Sequence, residues 1–382
     1  MNVRIGREEI MKKKVMLVFG TRPEAIKMCP LVHEIKKSKL LEPIVCVTGQ
    51  HREMLDQVLK TFNIIPEYDL SIMKSGQTLF DITVGILDRI KIVLEAVKPD
   101  IVLVHGDTST TFVTSIACFY KQIPLGHVEA GLRTYNIYSP YPEEFNRQVV
   151  GIISQYNFAP TKMAADNLIR EGKDPSKIFI TGNTVIDAMK HTVKEDYTHP
   201  ELDWVGDGKL IFITAHRREN LGEPMHNMFR AIRRVLEEYP ECKAIYPIHM
   251  NPIVRKAANE ELRGCEQIHI IEPLEVFDCH NFEARCYLCL TDSGGVQEEV
   301  PSYGKPVLVM RDTTERVEGI NAGTLKLVGT SEDSIYSSFK ELIENQELYN
   351  SMAKACNPYG DGNACKRIVD ILEGKEYLPW NS

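Results

Sequence analysis

The chain has 382 residues, too many for one small module and, at roughly 150 residues per domain, suited to two. Its 45 Lys plus Arg against 53 Asp plus Glu give a formal charge of −8, and 43% hydrophobic with 26% charged residues is an ordinary globular balance, which argues against disorder and against a polybasic nucleic-acid surface. No run approaches the roughly 18 apolar residues of a membrane span, and the ten cysteines lie mostly in apolar runs as small hydrophobes, so a cytoplasmic protein with reduced thiols and neither nucleic acid nor membrane as partner is expected.

Before Met11 the sequence carries no pattern, no apolar core and no cleavage site, and it is expected to fray. From there, short apolar runs alternate with helix-length segments, the rhythm of parallel strands joined by helical crossovers. In the first half, strands are predicted at 14–19 (KVMLVF), 43–48, 100–105, 124–128, 156–159 and 178–181. Each is almost continuously apolar, as strands buried on both faces should be. Residues 195–208 (EDYTHPELDWVGDG) are acidic, contain Pro and two Gly, and are read as a hinge, with the boundary as early as Gly182. The second half repeats the rhythm at 210–214 (LIFIT), 244–248, 268–271, 287–291, 307–310 and 325–328. The expected architecture is α/β, with two similar halves.

In such sheets ligands bind beyond the carboxyl ends of the strands, so the residues after each strand are the candidates. The first strand runs into Gly20-Thr21-Arg22-Pro23 with Lys27 one turn on, an anion-reading end or an ordinary turn. The third ends in HGDTSTT, where Asp107 is an acid/base candidate or a helix N-cap. The fourth ends in HVEAGLR, where an unpaired Glu129 would be costly without a role. Glu143 and Glu144 follow an aromatic, Pro-containing loop at 135–141 that suits a mobile flap. Carboxylates near Arg22 and Lys27 fit general acid/base chemistry.

In the second half, 214–220 (TAHRREN) opens a helix with a cation cluster that includes His216. The strongest signal is Ser293-Gly294-Gly295 after a strand and before a helix, where backbone N–H groups can approach a phosphate closely. It is neither a dinucleotide fingerprint nor a P-loop, so NAD and simple ATPase readings lose weight. Glu299, one turn on, could accept from a ribose diol or be a solvated carboxylate, and Arg316 after the next strand could reach a pyrophosphate. Cys286 and Cys289 have the spacing of a zinc half-site but lie on an apolar strand and read as core. His249 could touch ligand or satisfy local backbone. With no HExxH, EF-hand loop or His/Cys cluster, no metal is expected.

Taken together, FGTRPEAIK, HGDTSTT, HVEAGLR, PEEFNRQ, FITGNTVIDA, AHRREN, LTDSGGVQEE, RDTTERVEG and NPYGDGNA closely resemble the motifs of the non-hydrolysing UDP-N-acetylglucosamine 2-epimerases, from about residue 13 to the C-terminal helix. The resemblance implies a glycosyltransferase-B-like fold of two Rossmann-like domains, 13–190 and 191–360, with the active site in the interdomain cleft and a helix at about 361–378 returning to the first domain. It implies reversible conversion of UDP-GlcNAc to UDP-ManNAc, by elimination of UDP to a 2-acetamidoglucal and re-addition, for cell-surface polysaccharide precursors. No redox cofactor is needed, and a homodimer is the family expectation.

Carried over by motif, Asp107, Glu129 and Glu143 are the catalytic carboxylates, with His216 and Lys27 in the same site; which carboxylate serves which face of C2 stays open. Arg22, Ser293, Gly294, Gly295 and Arg316 match phosphate-binding positions, and Glu299 the ribose contact. The uracil pocket is expected in a loop at 274–279, from Leu274 to Cys279; Cys279 stands where members often carry Phe, a stacking role Phe277 could take. Val317 stands where Pro commonly follows the Arg. Gln50, Gln77, Glu144, Arg217 and His249 match the site at which some bacterial members bind a second UDP-GlcNAc as activator, but Glu53 and Gly76 replace the Gln and Arg of that pattern. A glycosyltransferase of the same fold, a hydrolysing epimerase releasing free ManNAc, and a non-catalytic UDP-sugar regulator are the alternatives.

Overall fold

The computed structural model describes residues 11–381 except His51 and Ser75, so the expectation of fraying before Met11 lies outside the described residues. By internal contacts the chain divides into two units, one running through Ala188 and including Gly362–Asn381, the other Met189–Asp361.

The first unit is built on seven parallel strands: β1 (Lys13–Phe19), β2 (Leu41–Val47), β3 (Tyr68–Asp69), β4 (Ile101–His105), β5 (Leu125–Val128), β6 (Tyr156–Ala159) and β7 (Ile178–Ile180). Their order is β3-β2-β1-β4-β5-β6-β7. The second unit has six: β8 (Lys209–Thr214), β9 (Cys242–Pro247), β10 (Ile268–Ile271), β11 (Leu288–Thr291), β12 (Val307–Val309) and β13 (Leu325–Leu327), ordered β10-β9-β8-β11-β12-β13. Every residue of β4 and β5 is buried, because helices cover both sheet faces. Met16, Val18, Val102 and Val104 pack one face of the first sheet against Ile86, Ile90 and Val113. In the second unit, Ile211, Ile213, Leu288 and Leu290 meet Met225, Phe229 and Phe339 on one face, while Phe212, Ile245 and Cys289 meet Phe282 on the other. In both sheets the winding direction reverses, between β1 and β4 and between β8 and β11, so crossovers diverge and open a crevice at the strands' carboxyl ends.

The segment read as a hinge is different in kind. Residues 195–208 hold the helix Pro200–Val205 and belong to the second unit, where Tyr197, Leu202, Trp204 and Val205 pack on its core. The changeover falls at Ala188 to Met189, inside the helix Thr184–Thr192. The C-terminal helix Ala364–Leu372 belongs to the first unit, packing on the helix Arg22–Lys36. Asp187 accepts from the backbone N–H groups of Ala364 (3.2 Å) and Cys365 (2.9 Å) at its start, and Arg367 Nη1 donates to the Thr181 carbonyl at 3.0 Å. Asp187→Ala removes that cap, and urea unfolding is expected to show a loss of about 1–2 kcal/mol.

No helix among the described residues is long and apolar enough to cross a membrane. All ten cysteines are free. Cys286 and Cys289 are fully enclosed in the second core, where burial pushes the Cys286 thiol up to about 12, so the pair is inert packing.

Candidate active site

At the carboxyl end of the first sheet, the chain leaves β1 through Gly20, where a Cβ would run into the hydroxyls of Thr48 and Thr110. Thr21 caps the helix Arg22–Lys36, with Pro23 in its first turn. Glu24, 1% exposed, accepts from Gly20 N (2.9 Å), Thr21 N (2.8 Å), Thr108 Oγ1 (2.6 Å) and Thr111 Oγ1 (3.2 Å). One buried carboxylate thus fastens the turn after β1 to the turn after β4.

Asp107 is not a helix cap: Thr108 caps the helix Ser109–Lys121, and the Asp107 carboxylate accepts from Arg147 Nη2 at 2.5 Å. Asn146 Nδ2 holds the Asp107 carbonyl at 2.8 Å, so two residues of the helix Glu143–Ile153 orient the acid. Glu129 follows β5 in a left-handed conformation, φ 64°, that carries its side chain back beside Lys27, with Asn183 Nδ2 at 2.9 Å and His105 Nε2 at 3.5 Å. Burial works to raise its carboxyl, but the charges of Lys27 and His105 outweigh burial and hold it well below the usual range. Lys27 is therefore committed to Glu129. His127 is fully buried with a nitrogen 2.7 Å from the Gly106 carbonyl, and burial pushes its pKa down to about 3, so it is a neutral brace. Glu143 opens its helix half-buried, with no hydrogen bond or ion pair to other described residues. Arg22, also half-buried, starts the helix after Gly20.

Three of the residues matched to an activator site do other work. Glu144 has no exposed surface; it accepts from Thr134 N and Tyr135 N, both at 3.0 Å, and from Gln148 Nε2 at 2.8 Å. It anchors the start of the loop read as a flap, whose Thr134 Oγ1 also donates to the Ser139 carbonyl at 2.6 Å. Gln77 donates to the Ile72 carbonyl at 2.6 Å within its own loop, and Gln50 Oε1 accepts from Thr110 Oγ1 at 3.3 Å. These bonds use only Nε2 of Gln77 and only Oε1 of Gln50, whereas Glu144 lies wholly below the surface.

In the second unit Asp292, fully buried at the end of β11, accepts from His216 N (2.9 Å), Arg217 N (2.8 Å) and Asn220 Nδ2 (3.1 Å), fixing the cation loop after β8. The His216 ring stacks on His249, centroids 5.4 Å apart, while His249 Nδ1 accepts from Asn251 N at 3.1 Å. His249 thus serves backbone and ring partner together. Burial lowers the His216 pKa, Asp292 opposes, and His249 and Arg217 lower it further, so the imidazole is neutral at pH 7. An NMR titration is expected to place its midpoint below that of an ordinary histidine, and His249→Ala to raise it.

Ser293 N donates to Thr291 Oγ1 at 2.9 Å, which shapes the turn into the helix Gly294–Glu299. A Cβ on Gly294 would stand 3.2 Å from Arg316 Cζ and 3.3 Å from Arg217 Nη2, so two guanidiniums flank this backbone. Glu298 holds Arg316 through Nε (2.9 Å) and Nη2 (2.8 Å). Burial would raise the Glu315 carboxyl, but Arg316, Arg311 and Arg217 outweigh it and keep it ionised. Val317 opens the helix Val317–Ala322, a first-turn place that Pro would also fit. The 274–279 segment is not a loop throughout: the helix Val276–Arg285 begins within it, and Cys279 N donates to the Glu275 carbonyl at 2.9 Å. The Cys279 N–H is thus taken up within its own helix. Leu274 packs on the core, and Phe277 meets Tyr197 edge-on, centroids 5.6 Å apart.

A model of the family described as UDP-N-acetylglucosamine 2-epimerase matches residues 33–373. This chain belongs to that family. It is 59% identical over 361 residues to the UDP-N-acetylglucosamine 2-epimerase of Bacillus subtilis, covering 94% of this chain and 95% of that one. A structure of S. aureus MnaA with UDP superposes with TM-score 0.86 at 54% identity, covering 95% and 96% of the two chains. A Neisseria meningitidis UDP-GlcNAc 2-epimerase bound to UDP-GlcNAc gives TM-score 0.86 at 49% identity, over 95% and 100%. A glycosyltransferase of kitacinnamycin, 9% identical with TM-score 0.66, shares the fold alone. Two parallel-sheet Rossmann-like units of the glycosyltransferase-B kind are therefore the fold of this epimerase-family chain.

Strand-end reading named candidates after the strands but missed the residues that brace those turns: Glu24, Arg147, His105, Asn183 and Asp292. Only Glu24 left a local signal, as the acid of a Thr21-x-x-Glu24 capping box.

Proposed function

We infer that the protein inverts C2 of UDP-GlcNAc, reversibly, giving UDP-ManNAc. The observation that carries the reading is the set of carboxylates Asp107, Glu129 and Glu143 kept at the ends of the first sheet in a chain of this family. The C2 hydrogen is not acidic in the intact sugar, so simple abstraction is closed. Breaking C1–O as the C2 proton leaves gives UDP and a 2-acetamidoglucal; UDP then re-adds at C1 while C2 is protonated on the other face. Glu129, ionised against Lys27, suits a proton acceptor, and Asp107, Glu143 and neutral His216 are the further acid/base groups. Arg22, the Ser293-Gly294-Gly295 turn and Arg316 suit the developing pyrophosphate charge, and Glu299 the ribose diol. Incubation with UDP-GlcNAc in D₂O should place deuterium at C2 of recovered UDP-HexNAc; absence of both exchange and UDP-ManNAc would overturn the assignment, and free ManNAc would make it a hydrolysing enzyme.

We also propose a homodimer through the helix Leu79–Val97. Leu79, Phe80, Val84, Phe112, Tyr141 and Phe145 line one apolar depression, with Phe80 84% and Val84 64% exposed. Phe80→Asp with Val84→Asp should convert a dimer to a monomer in light scattering. The ten free thiols support a cytoplasmic setting, and a UDP-ManNAc product suits supply of cell-surface polysaccharide precursors.

A further inference from the structure

Beside the Ser293-Gly294-Gly295 turn of the second unit lie two carboxyl groups with oxygens within 4.8 Å of each other. Glu283, on the helix Val276–Arg285, has no exposed surface, and Glu299, half-buried, ends the helix Gly294–Glu299. The ligating atoms of His280, Glu283 and Glu299 all lie within 4.8 Å of one another. Glu283 Oε1 accepts from the Cys279 thiol at 3.3 Å, whereas Oε2 has no donor facing it. His280 Nδ1 is turned to Thr192 Oγ1, 2.7 Å away. Two carboxylates this near offer each other only acceptors, and a bond between them forms when one holds a proton.

We propose that Glu283 is a positioning residue for the nucleotide: it carries the proton shared with Glu299 and donates it, which fixes the Glu299 carboxylate to accept from both hydroxyls of a ribose diol. This rests on the reading of Glu299 as the ribose contact. Burial, and after it the Glu299 charge, pushes the Glu283 carboxyl well above the usual range. The groups facing it are Cys279 and His280 on its own helix, Cys286 just after that helix, Glu299, Tyr303 on the following turn, and Cys289 on β11. Cys279 supplies a thiol donor that occupies Oε1 and leaves Oε2 for the shared proton.

The test compares UDP with 2′-deoxy-UDP, which lacks one hydroxyl of the diol, by calorimetry on the full-length protein. Wild type should prefer UDP by about tenfold, the value of a hydrogen bond to a charged group. Glu299→Ala should erase the preference; if it survives, the ribose reading itself fails. With that established, Glu283→Met should also erase the preference while leaving 2′-deoxy-UDP affinity in place, and Glu283→Gln, which keeps a donor toward Glu299, should restore it. A preference retained in Glu283→Met, or lost in Glu283→Gln, overturns the proposal. Should Glu283→Met not fold, the infrared carbonyl band of a neutral carboxyl decides: it should be present in wild type at pH 7 and absent in Glu283→Gln. Its absence from wild type, as a divalent cation bound by both carboxylates would cause, refutes the shared proton.

Discussion

Replacing Glu129 by Gln is expected to lower kcat about a thousandfold, within the range of a positioned acid/base group. The same change strikes the fold, because Lys27 and Glu129, with side chains 11% and 10% exposed, form a nearly buried pair. Removing one partner strands the other charge, at a cost of about 3–5 kcal/mol in urea unfolding. The two effects separate in a second variant: Glu129→Gln with Lys27→Met should recover most of the stability and none of the turnover. Recovery of both would reduce Glu129 to a structural counter-ion. The pH sense follows from its depressed carboxyl. The pair's stabilisation is present above the ordinary glutamate range and is lost as pH falls through the lower folded value, so wild type and the single variant Glu129→Gln should diverge at neutral pH and converge in acid.

Asp292→Asn is expected to lower kcat/KM about a hundredfold without touching substrate. The native carboxylate accepts from the backbone N–H groups of His216 and Arg217 and from Asn220, all without exposed surface of its own. All three bonds fall on Oδ2, whose place the amide oxygen can take, but the NH₂ then stands where Oδ1 meets the His216 N–H at 3.1 Å, donor against donor. The loop that carries His216 and Arg217 would lose its fixed position, and both the imidazole and a guanidinium beside Gly294 would move with it. Steady-state kinetics beside UDP calorimetry measure this, and unchanged values for both would remove Asp292 from the site's support.

What could be read in advance depended on how each residue is held. The long strands were legible because both faces are buried, which leaves unbroken apolar runs such as Ile101–His105. The strand Tyr68–Asp69 was not, since two residues carry no pattern. The helix Val276–Arg285 hid because its buried side includes His280, Asn281 and Glu283, polar residues that mask an apolar stripe. Pro200 and the acids around it looked like a linker, yet Leu202 and Val205 give that segment a packed face. Candidate site residues were found by their place after strands. Their partners were not, because Glu24 meets Thr108, Arg147 meets Asp107 and Asp292 meets His216 only once the chain has folded.

Glu129 sits at φ 64°, a backbone state that disfavours any side chain with a Cβ by roughly 1–2 kcal/mol and that glycine adopts freely. A sequence chosen for folding alone would drift to glycine here once Lys27 had become apolar, gaining backbone ease and shedding both charges of a nearly buried pair. The position therefore records a standing conflict between two selections, one for a chain that folds easily and one for a chain that turns over, and the second has prevailed. Directed evolution for heat resistance alone should reach that exchange only with a change at Lys27, and lineages that take both should be the stable, silent ones.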